Sequence, residues 1–332
     1  MKEVTFINAN VERWREFENM LSTNTAANPD KLSDMFIRIT DDLSYAQTFF
    51  PGSETEKYLN GIAVKTHRVI YRTKKARSTS LIEFWKYIFP LEMYRSRKYI
   101  LYSFLFFATA CFVGAISAAN DDTFVRLIMG DEYVNMTLEN IEKGDPMAVY
   151  KSANKADMFL GITINNIRVS FIAFLSGVFT SFFTILVLFQ NGIMLGSFQY
   201  FFYEYDVLYE SILSIWIHGT LEIFAIIVAG AAGIITGNGI LFPDTYSRMS
   251  SFLRAVKRSM KIVLGLMPVF IIAGFLEGFV TRQTDWYDSI RIAIIVGSLI
   301  LIVFYFFIYP AKINKRFNQD NEFNDFIKEI SK

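Results

Sequence analysis

Residues 212–239 form an apolar run that is long enough to cross a lipid bilayer as one helix, for which about 20 residues are needed. The run nevertheless carries two ionisable side chains, His218 and Glu222, one helical turn apart. A charged side chain near the bilayer centre costs about 2 to 3 kcal/mol on insertion scales, so such residues are rare and usually serve a function. We therefore take this pair as the first candidate site.

The composition of the 332-residue chain indicates a membrane protein, because 52% of its residues are hydrophobic and 17% are aromatic. A formal net charge of +1 provides no general field that attracts nucleic acid, so we expect no nucleic-acid partner. The only cysteine is Cys111, which excludes an intramolecular disulfide and a cysteine-rich metal site.

The two ends of the chain are more polar than its middle. Residues 1–80 carry apolar stripes at helical spacing, with Trp14 and Phe17 in the first of them, and predict a small cytosolic helical domain. Residues 81–98 combine aromatic side chains with a basic end, which is typical of an amphipathic helix in the cytoplasmic interface of a membrane. Residues 311–332 are predicted to form a cytoplasmic tail.

Five apolar segments are clear candidates for membrane-crossing helices. They are residues 99–118, 167–189, 212–237, 262–280 and 291–309. Lysine and arginine accumulate before the first segment, between the third and fourth segments, and after the fifth. This distribution indicates that these three regions are cytoplasmic. The acidic segment 119–166 is instead expected outside. Five crossings would put the basic 238–261 loop outside, so a sixth crossing is needed between the second and third segments.

One short segment is left for that crossing. Residues 191–209 begin with a turn-prone Asn191-Gly192 pair and end in acidic residues near Asp206. We predict a short or broken helix that enters at the pair and opens outside near Asp206; the alternative is a re-entrant loop with an exception to the charge rule. The predicted fold is therefore an all-α polytopic membrane protein of about six transmembrane helices. Its transmembrane domain, residues 99–310, is expected in the plasma (inner) membrane with both termini in the cytoplasm.

The polar pair shares one helix face with a stripe of small residues. On a helical wheel of 100° per residue, His218 and Glu222 fall beside Ala225, Ala229 and Gly233. Small residues spaced by four let helix backbones approach closely in lipid. We therefore expect this face to pack against another helix and the pair to point into the bundle.

A second acidic motif supplies a third candidate residue. The string Gly274-Phe-Leu-Glu277-Gly-Phe279 is similar to Gly219-Thr-Leu-Glu222-Ile-Phe224. If the two helices pack together, with Gly274 and Gly278 permitting a close approach, Glu277 lies near the first pair. Three interpretations stay open: a site that binds a cation or relays a proton, a hydrogen-bonded strut between helices, and an accidental separation.

No enzyme signature accompanies these residues. His218 is not part of an HExxH zinc-protease motif, and the only other histidine, His67, lies in the N-terminal domain. Ser176-Gly177 lacks the flanking glycine of a nucleophile elbow, and the sequence has no glycine-rich phosphate loop. We therefore expect no catalytic residue, no metal and no cofactor. The spacing from Asn191-Gly192 to Gly196 is expected to mark a turn or close helix packing, not a dimer interface.

Several motifs together resemble the stage II sporulation protein M family of integral membrane proteins. They are His218-Gly-Thr-Leu-Glu222, Ala229-Gly-Ala-Ala-Gly233, Asn191-Gly-Ile-Met-Leu-Gly196 and Ala273-Gly-Phe-Leu-Glu-Gly278, with Asp42-Leu-Ser-Tyr-Ala46 and Tyr58-Leu-Asn60 in the N-terminal region. The similarity extends over nearly the whole chain. The resemblance implies a non-catalytic scaffold, because the family's namesake anchors peptidoglycan hydrolases at the membrane while spore-forming bacteria engulf the forespore.

Two functions are therefore kept open. The leading one is a non-catalytic scaffold or assembly factor for cell-envelope machinery, with membrane lipids, membrane or cell-wall proteins, and a second copy in a homodimer as partners. Its partner surfaces would be the cytosolic domain and the 119–166 segment. The alternative is a transporter or permease subunit that uses His218, Glu222 and Glu277 for the passage of a proton, ion or solute. A wet cavity at these residues would favour transport, and a dry, packed cluster the scaffold.

Overall fold

The structure, a computed structural model, describes residues 2–22, 29–70, 81–149, 155–283 and 286–330. These residues are almost entirely helical and form no strand, which confirms the predicted all-α class. The chain divides into two compact units, Met1–Arg77 and Ser78–Lys332.

The first unit contains three helices, α1 (Glu3–Ser22), α2 (Pro29–Phe49) and α3 (Glu54–Ile70). Their apolar stripes face one another and form one buried core. Trp14 and Phe17 of α1 pack there with Ile39 of α2 and Leu59 of α3. The unit therefore buries its own apolar residues with its own helices.

A polar contact joins α1 to α2 in this unit. The carboxylate of Asp42 accepts hydrogen bonds from the indole N–H of Trp14, at 2.8 Å, and from the guanidinium of Arg13. Replacing Asp42 with alanine would leave the N–H of Trp14, a residue that is 2% exposed, without this partner. We expect the change to destabilise the unit by about 2 kcal/mol, since an unsatisfied buried polar group costs about 1 to 3 kcal/mol.

Hydrogen exchange of the intact chain would measure this effect as faster exchange in α1 and α2. The matched control is Asp41→Ala, because Asp41 is the exposed neighbour of Asp42 on the same helix. Equal protection of α1 and α2 in the two variants would contradict the prediction.

The second unit holds the remaining described helices. They are α4 (Leu81–Asn120), α5 (Asp122–Met129), α6 (Asp131–Glu142), α7 (Lys155–Ser176), α8 (Ser181–Glu204), α9 (Leu208–Leu241), α10 (Arg248–Val280), α11 (Asp288–Gln319) and α12 (Asn321–Ile330). Among the described residues, six helices are long and apolar enough to cross a membrane, namely α4 and α7 to α11. This number agrees with the predicted six crossings. Because six is even, six crossings put both ends of this unit on the same side of a membrane.

Helix α9 lies at the centre of the second unit and is buried on nearly all sides. Most of its circumference is apolar, as expected of a helix that other helices surround. Hydroxyl groups from its neighbours donate to its backbone carbonyls. Ser103 of α4 donates to Ile227 at 2.6 Å, and Ser259 of α10 donates to Ala232 at 2.7 Å. Small polar side chains thus reinforce close helix contacts.

The predicted boundary between the second and third crossings was wrong. Residues 167–189 are not one helix, because α7 ends at Ser176, α8 begins at Ser181, and a turn lies between them. Nor is the helix broken at Asn191-Gly192: α8 continues through this pair, and the Asn191 side chain donates to the carbonyl of Val187 at 2.8 Å. The third crossing is therefore a full 24-residue helix.

Residues 81–98 also differ from the prediction of a separate interfacial helix. They are continuous with the first crossing in the 40-residue α4, which contains a π-helical turn at Phe84–Ile88. Phe89 and Met93 are buried in the main core of the second unit, to which α4, α9, α10 and α11 contribute. The indole N–H of Trp85 donates to the carbonyl of Gly265 at 3.1 Å. These contacts with α10 and α11 hold the segment in the bundle and remove the predicted boundary near Tyr99.

The C-terminal segment 311–332, predicted as a tail, is largely helical where the structure describes it. Helix α11 extends to Gln319, and α12 places Phe323 and Ile327 against Ile88 and Leu91 of α4. The C-terminal segment therefore packs on the N-terminal part of α4.

The segment predicted to lie outside, 119–166, contributes two short helices that cover part of the bundle. Its predicted end was wrong, because residues 155–166 belong to α7, the second crossing helix. Val125 of α5 and Val134 of α6 pack with Phe201 and Phe202 of α8 and with Ile215 of α9. Residues 150–154 of this segment lie outside the described residues. The contacts place α5 and α6 beside the ends of α8 and α9 that carry the candidate site.

Candidate functional site

The structure brings His218, Glu222 and Glu277 together inside the helical bundle. One nitrogen of the histidine and one oxygen from each carboxylate all lie within 4.8 Å of one another. His218 Nε2 lies 3.6 Å from Glu277 Oε2. His218 is 4% exposed and Glu277 is 9% exposed. The accidental separation left open above does not occur.

Two helices of opposite direction position these side chains. His218 and Glu222 are four residues apart on α9, so they project from the same side of that helix. Glu277 lies near the end of α10 in a π-helical turn, Leu276–Val280, which the backbone N–H of Thr281 closes by donating to the carbonyl of Leu276 at 2.8 Å. A π turn shifts the side chains that follow it relative to a regular helix, and such turns are frequent at functional sites.

A threonine contacts the far side of the histidine ring. His218 Nδ1 lies 3.0 Å from Thr281 Oγ1, and the same hydroxyl donates to the carbonyl of Leu276 at 3.3 Å. The ring is therefore held from one side while its Nε2 faces Glu277. Thr281 was not predicted, because only the π turn brings it beside His218.

The cluster lines a half-enclosed cavity of about 540 Å³. Its walls come from six helices, α5 to α10. The lining residues are Ile128, Met129, Tyr133, Asn165, Asn166, Met194, Leu195, Phe198, Ile215, Trp216, His218, Gly219, Glu222, Ile223 and Glu277. A mostly apolar cavity with a few convergent polar groups is the usual form of a small-ligand site.

Asn166 of α7 is a member of this site that sequence reasoning missed. The residue is 4% exposed, lines the cavity, and holds its side-chain amide within hydrogen-bonding reach of the Glu222 carboxylate. An amide in this position can donate to the carboxylate and fix its orientation. The adjacent asparagines Asn165-Asn166 within an apolar run were the available signal.

The described residues of the cavity wall include acidic side chains but no basic ones of the lysine or arginine type. The described lining residues include two carboxylates, Glu222 and Glu277, and no lysine or arginine. Buried carboxylates are normally paired with a cation or hold a proton, because an isolated charge in a low-dielectric interior is costly. The arrangement is therefore suited to attract a cation or to hold a proton.

The small residues singled out from the sequence lie at close helix contacts. Ala225 and Ala229 are fully buried in the main core. Gly233 approaches the backbone of α7 at Ala173 and the side chain of Thr184 on α8. Gly274 approaches Thr163 of α7. The polar pair and the small-residue stripe thus share a face that packs within the bundle.

The other predicted glycines divide between packing and the site. Gly192 and Gly196 of α8 lie against the backbone of α4 near Phe107 and Cys111, so this pair marks close packing and not a turn. Gly219 lines the cavity, and Gly278 is buried in the π turn beside Glu277. The contacts of Gly192 and Gly196 lie within one chain and supply no homodimer surface.

Comparisons with known proteins place this site in a family. The model of the Stage II sporulation protein M family matches residues 103–282, which include the whole cluster, and a domain of unknown function (DUF8413) matches residues 4–72 in the first unit. An uncharacterized protein of Methanocaldococcus jannaschii is 26% identical over 192 residues, which are 56% of this chain and 83% of the archaeal protein. No solved structure matches. Because the family model spans more than half of its length, the chain belongs to the stage II sporulation protein M family.

Proposed function

We propose that the protein is a transporter or permease subunit that binds a small cation at His218, Glu222 and Glu277. The observation that carries this proposal is the cavity of about 540 Å³ in which the three side chains converge. Ionisable residues inside a membrane domain commonly mark ion or proton pathways. A strut between helices needs no such cavity beside it.

The distribution of charge supports an orientation for this cavity. Basic residues concentrate on the N-terminal half of α10, while acidic residues prevail in segment 119–166. In a plasma membrane with both termini in the cytoplasm, the cavity would lie in the outer half of the bilayer. The solute would then reach it from outside, beside α5 and α6.

The test is a flux measurement with the purified full chain in liposomes. Proton, sodium, potassium and divalent-metal gradients are imposed in turn and followed with enclosed fluorescent indicators. We expect flux of at least one cation, and its loss in the double variant Glu222→Gln, Glu277→Gln. The matched control is Glu210→Gln, because Glu210 is exposed on the same helix α9. Absence of flux for every cation, or equal flux in the double variant, would overturn the proposal.

A second candidate is the non-catalytic scaffold that the family resemblance implies. The observation that favours it is the first unit, whose three helices form a core of their own. Such a unit is suited to bind another protein. Affinity purification of the intact chain in mild detergent is expected, on this alternative, to recover a peptidoglycan-remodelling enzyme, and to lose it when residues 1–77 are deleted.

A further inference from the structure

The geometry points to a divalent transition-metal ion of the zinc class as the ligand of His218, Glu222 and Glu277. This inference rests on the proposed binding of a cation at the cluster and names the class of that cation. The sequence alone led us to expect no metal here, because the residues match no zinc motif. Four features of the site point to this class of ion: the position of the histidine ring, the donor atoms, the charge of the cavity wall and the amide of Asn166.

The first step is the position of the histidine ring. Its Nδ1 lies 3.0 Å from the hydroxyl of Thr281, and that hydroxyl also lies 3.3 Å from the carbonyl of Leu276. The other ring nitrogen, Nε2, lies 3.6 Å from Glu277 Oε2. An imidazole nitrogen and a carboxylate oxygen are both metal ligands, so a cation placed between these two atoms would bind to each of them.

The second step is the choice of cation. One imidazole nitrogen and two carboxylates form a donor set that suits zinc and its neighbours, whereas calcium and magnesium prefer sites made only of oxygen. Donor atoms within 4.8 Å of one another need only small side-chain rotations to reach one ion. A divalent charge also balances Glu222 and Glu277, whereas a monovalent ion would leave one negative charge in the cavity without a lysine or arginine partner among the described lining residues.

The third step is the role of Asn166. Residues that hydrogen-bond to metal ligands, without touching the metal, typically raise affinity about 10- to 100-fold. Asn166 lies beside Glu222, and its amide nitrogen is able to donate to that carboxylate. The threonine contact on Nδ1 fixes the histidine ring in the same manner. Both supporting contacts that such a site requires are therefore available.

The experiment is a metal titration of the metal-free full chain in detergent. We expect one Zn²⁺ per chain, Co²⁺ with a visible absorption spectrum of nitrogen and oxygen ligation, and no displacement of Zn²⁺ by a large excess of Mg²⁺ or Ca²⁺. His218→Ala should weaken Zn²⁺ binding by about 100-fold or more and abolish the Co²⁺ spectrum. Asn166→Ala should weaken binding by about 10-fold or more. Glu210→Gln should change neither result.

Absence of stoichiometric Zn²⁺ binding, or equal affinity in the His218→Ala and Glu210→Gln variants, would overturn the inference. If His218→Ala does not remain monodisperse, the Co²⁺ spectrum of the unmodified chain and the Mg²⁺ and Ca²⁺ competition still decide. The outcome is separable from that of the proposed function. Zn²⁺ binding without flux would contradict the proposed transport and support the metal site. Flux of protons or sodium without Zn²⁺ binding would support transport and contradict the metal site.

Discussion

Replacing Glu277 with glutamine is expected to reduce cation flux strongly while leaving the metal-free protein at least as stable as before. Glu277 is 9% exposed in a cavity that has a second carboxylate and, among its described lining residues, no lysine or arginine. Glutamine keeps the size and removes the charge, so it relieves the cost of a buried carboxylate. Residues kept for function commonly reduce stability in this way. We expect flux to fall by about tenfold or more, in the range observed when metal-site residues are altered.

The measurement pairs the flux assay with a thermal melt of the metal-free protein in detergent. Glu210→Gln again serves as the control, with flux and melting temperature both unchanged. If Glu277 is instead part of a strut between α9 and α10, its replacement should lower the melting temperature and spare the flux. A lower melting temperature with intact flux would therefore contradict the prediction and favour the strut.

The number of membrane-crossing helices was predictable from the sequence, but several helix boundaries were not. Hydropathy shows no break at residues 177–180, because the turn there is itself largely apolar. A Cβ atom at Gly177 would overlap the backbone of Gly233, so the turn occurs where α7 approaches α9. At Asn191-Gly192 the sequence predicted a turn, but the helix continues. Close packing of Gly192 on α4 outweighs the local preference of this pair for a turn. Both errors arose because contacts distant in sequence decided the local structure.

The candidate site was predictable in the same partial way. Helical periodicity placed His218 and Glu222 on one face, and a sequence similarity between two helices supplied Glu277. Asn166 and Thr281 could not be found by either argument. The first reaches the cavity from a third helix, and the second depends on a π turn that the sequence pattern does not reveal. Residues that follow a helical repeat could be predicted from the sequence. Residues that tertiary contacts bring into the site could not.

Replacing Gly233 with leucine is expected to cause the largest loss of stability, because three helices meet at this residue. A Cβ atom there would overlap the carbonyl of Ala173 on α7 and lie 2.7 Å from Cγ2 of Thr184 on α8. The hydroxyl of Thr184 donates to that same carbonyl at 3.0 Å, so a larger side chain also breaks this bond. Overpacking costs about 1 to 3 kcal/mol, and more where backbone must move. We expect more than about 3 kcal/mol and loss of a monodisperse peak in detergent chromatography.

The matched control is Gly297→Leu on α11, since Gly297 is exposed and a Cβ atom there meets nothing within 4 Å. Leucine is a better helix former than glycine by about 1 kcal/mol, so this variant should melt at the same temperature as the original chain or higher. The two variants add the same side chain to helices of the same unit and differ in what surrounds it. Equal melting temperatures would show that α7, α8 and α9 do not meet at Gly233. The arrangement of these three helices around the cavity would then be contradicted as well.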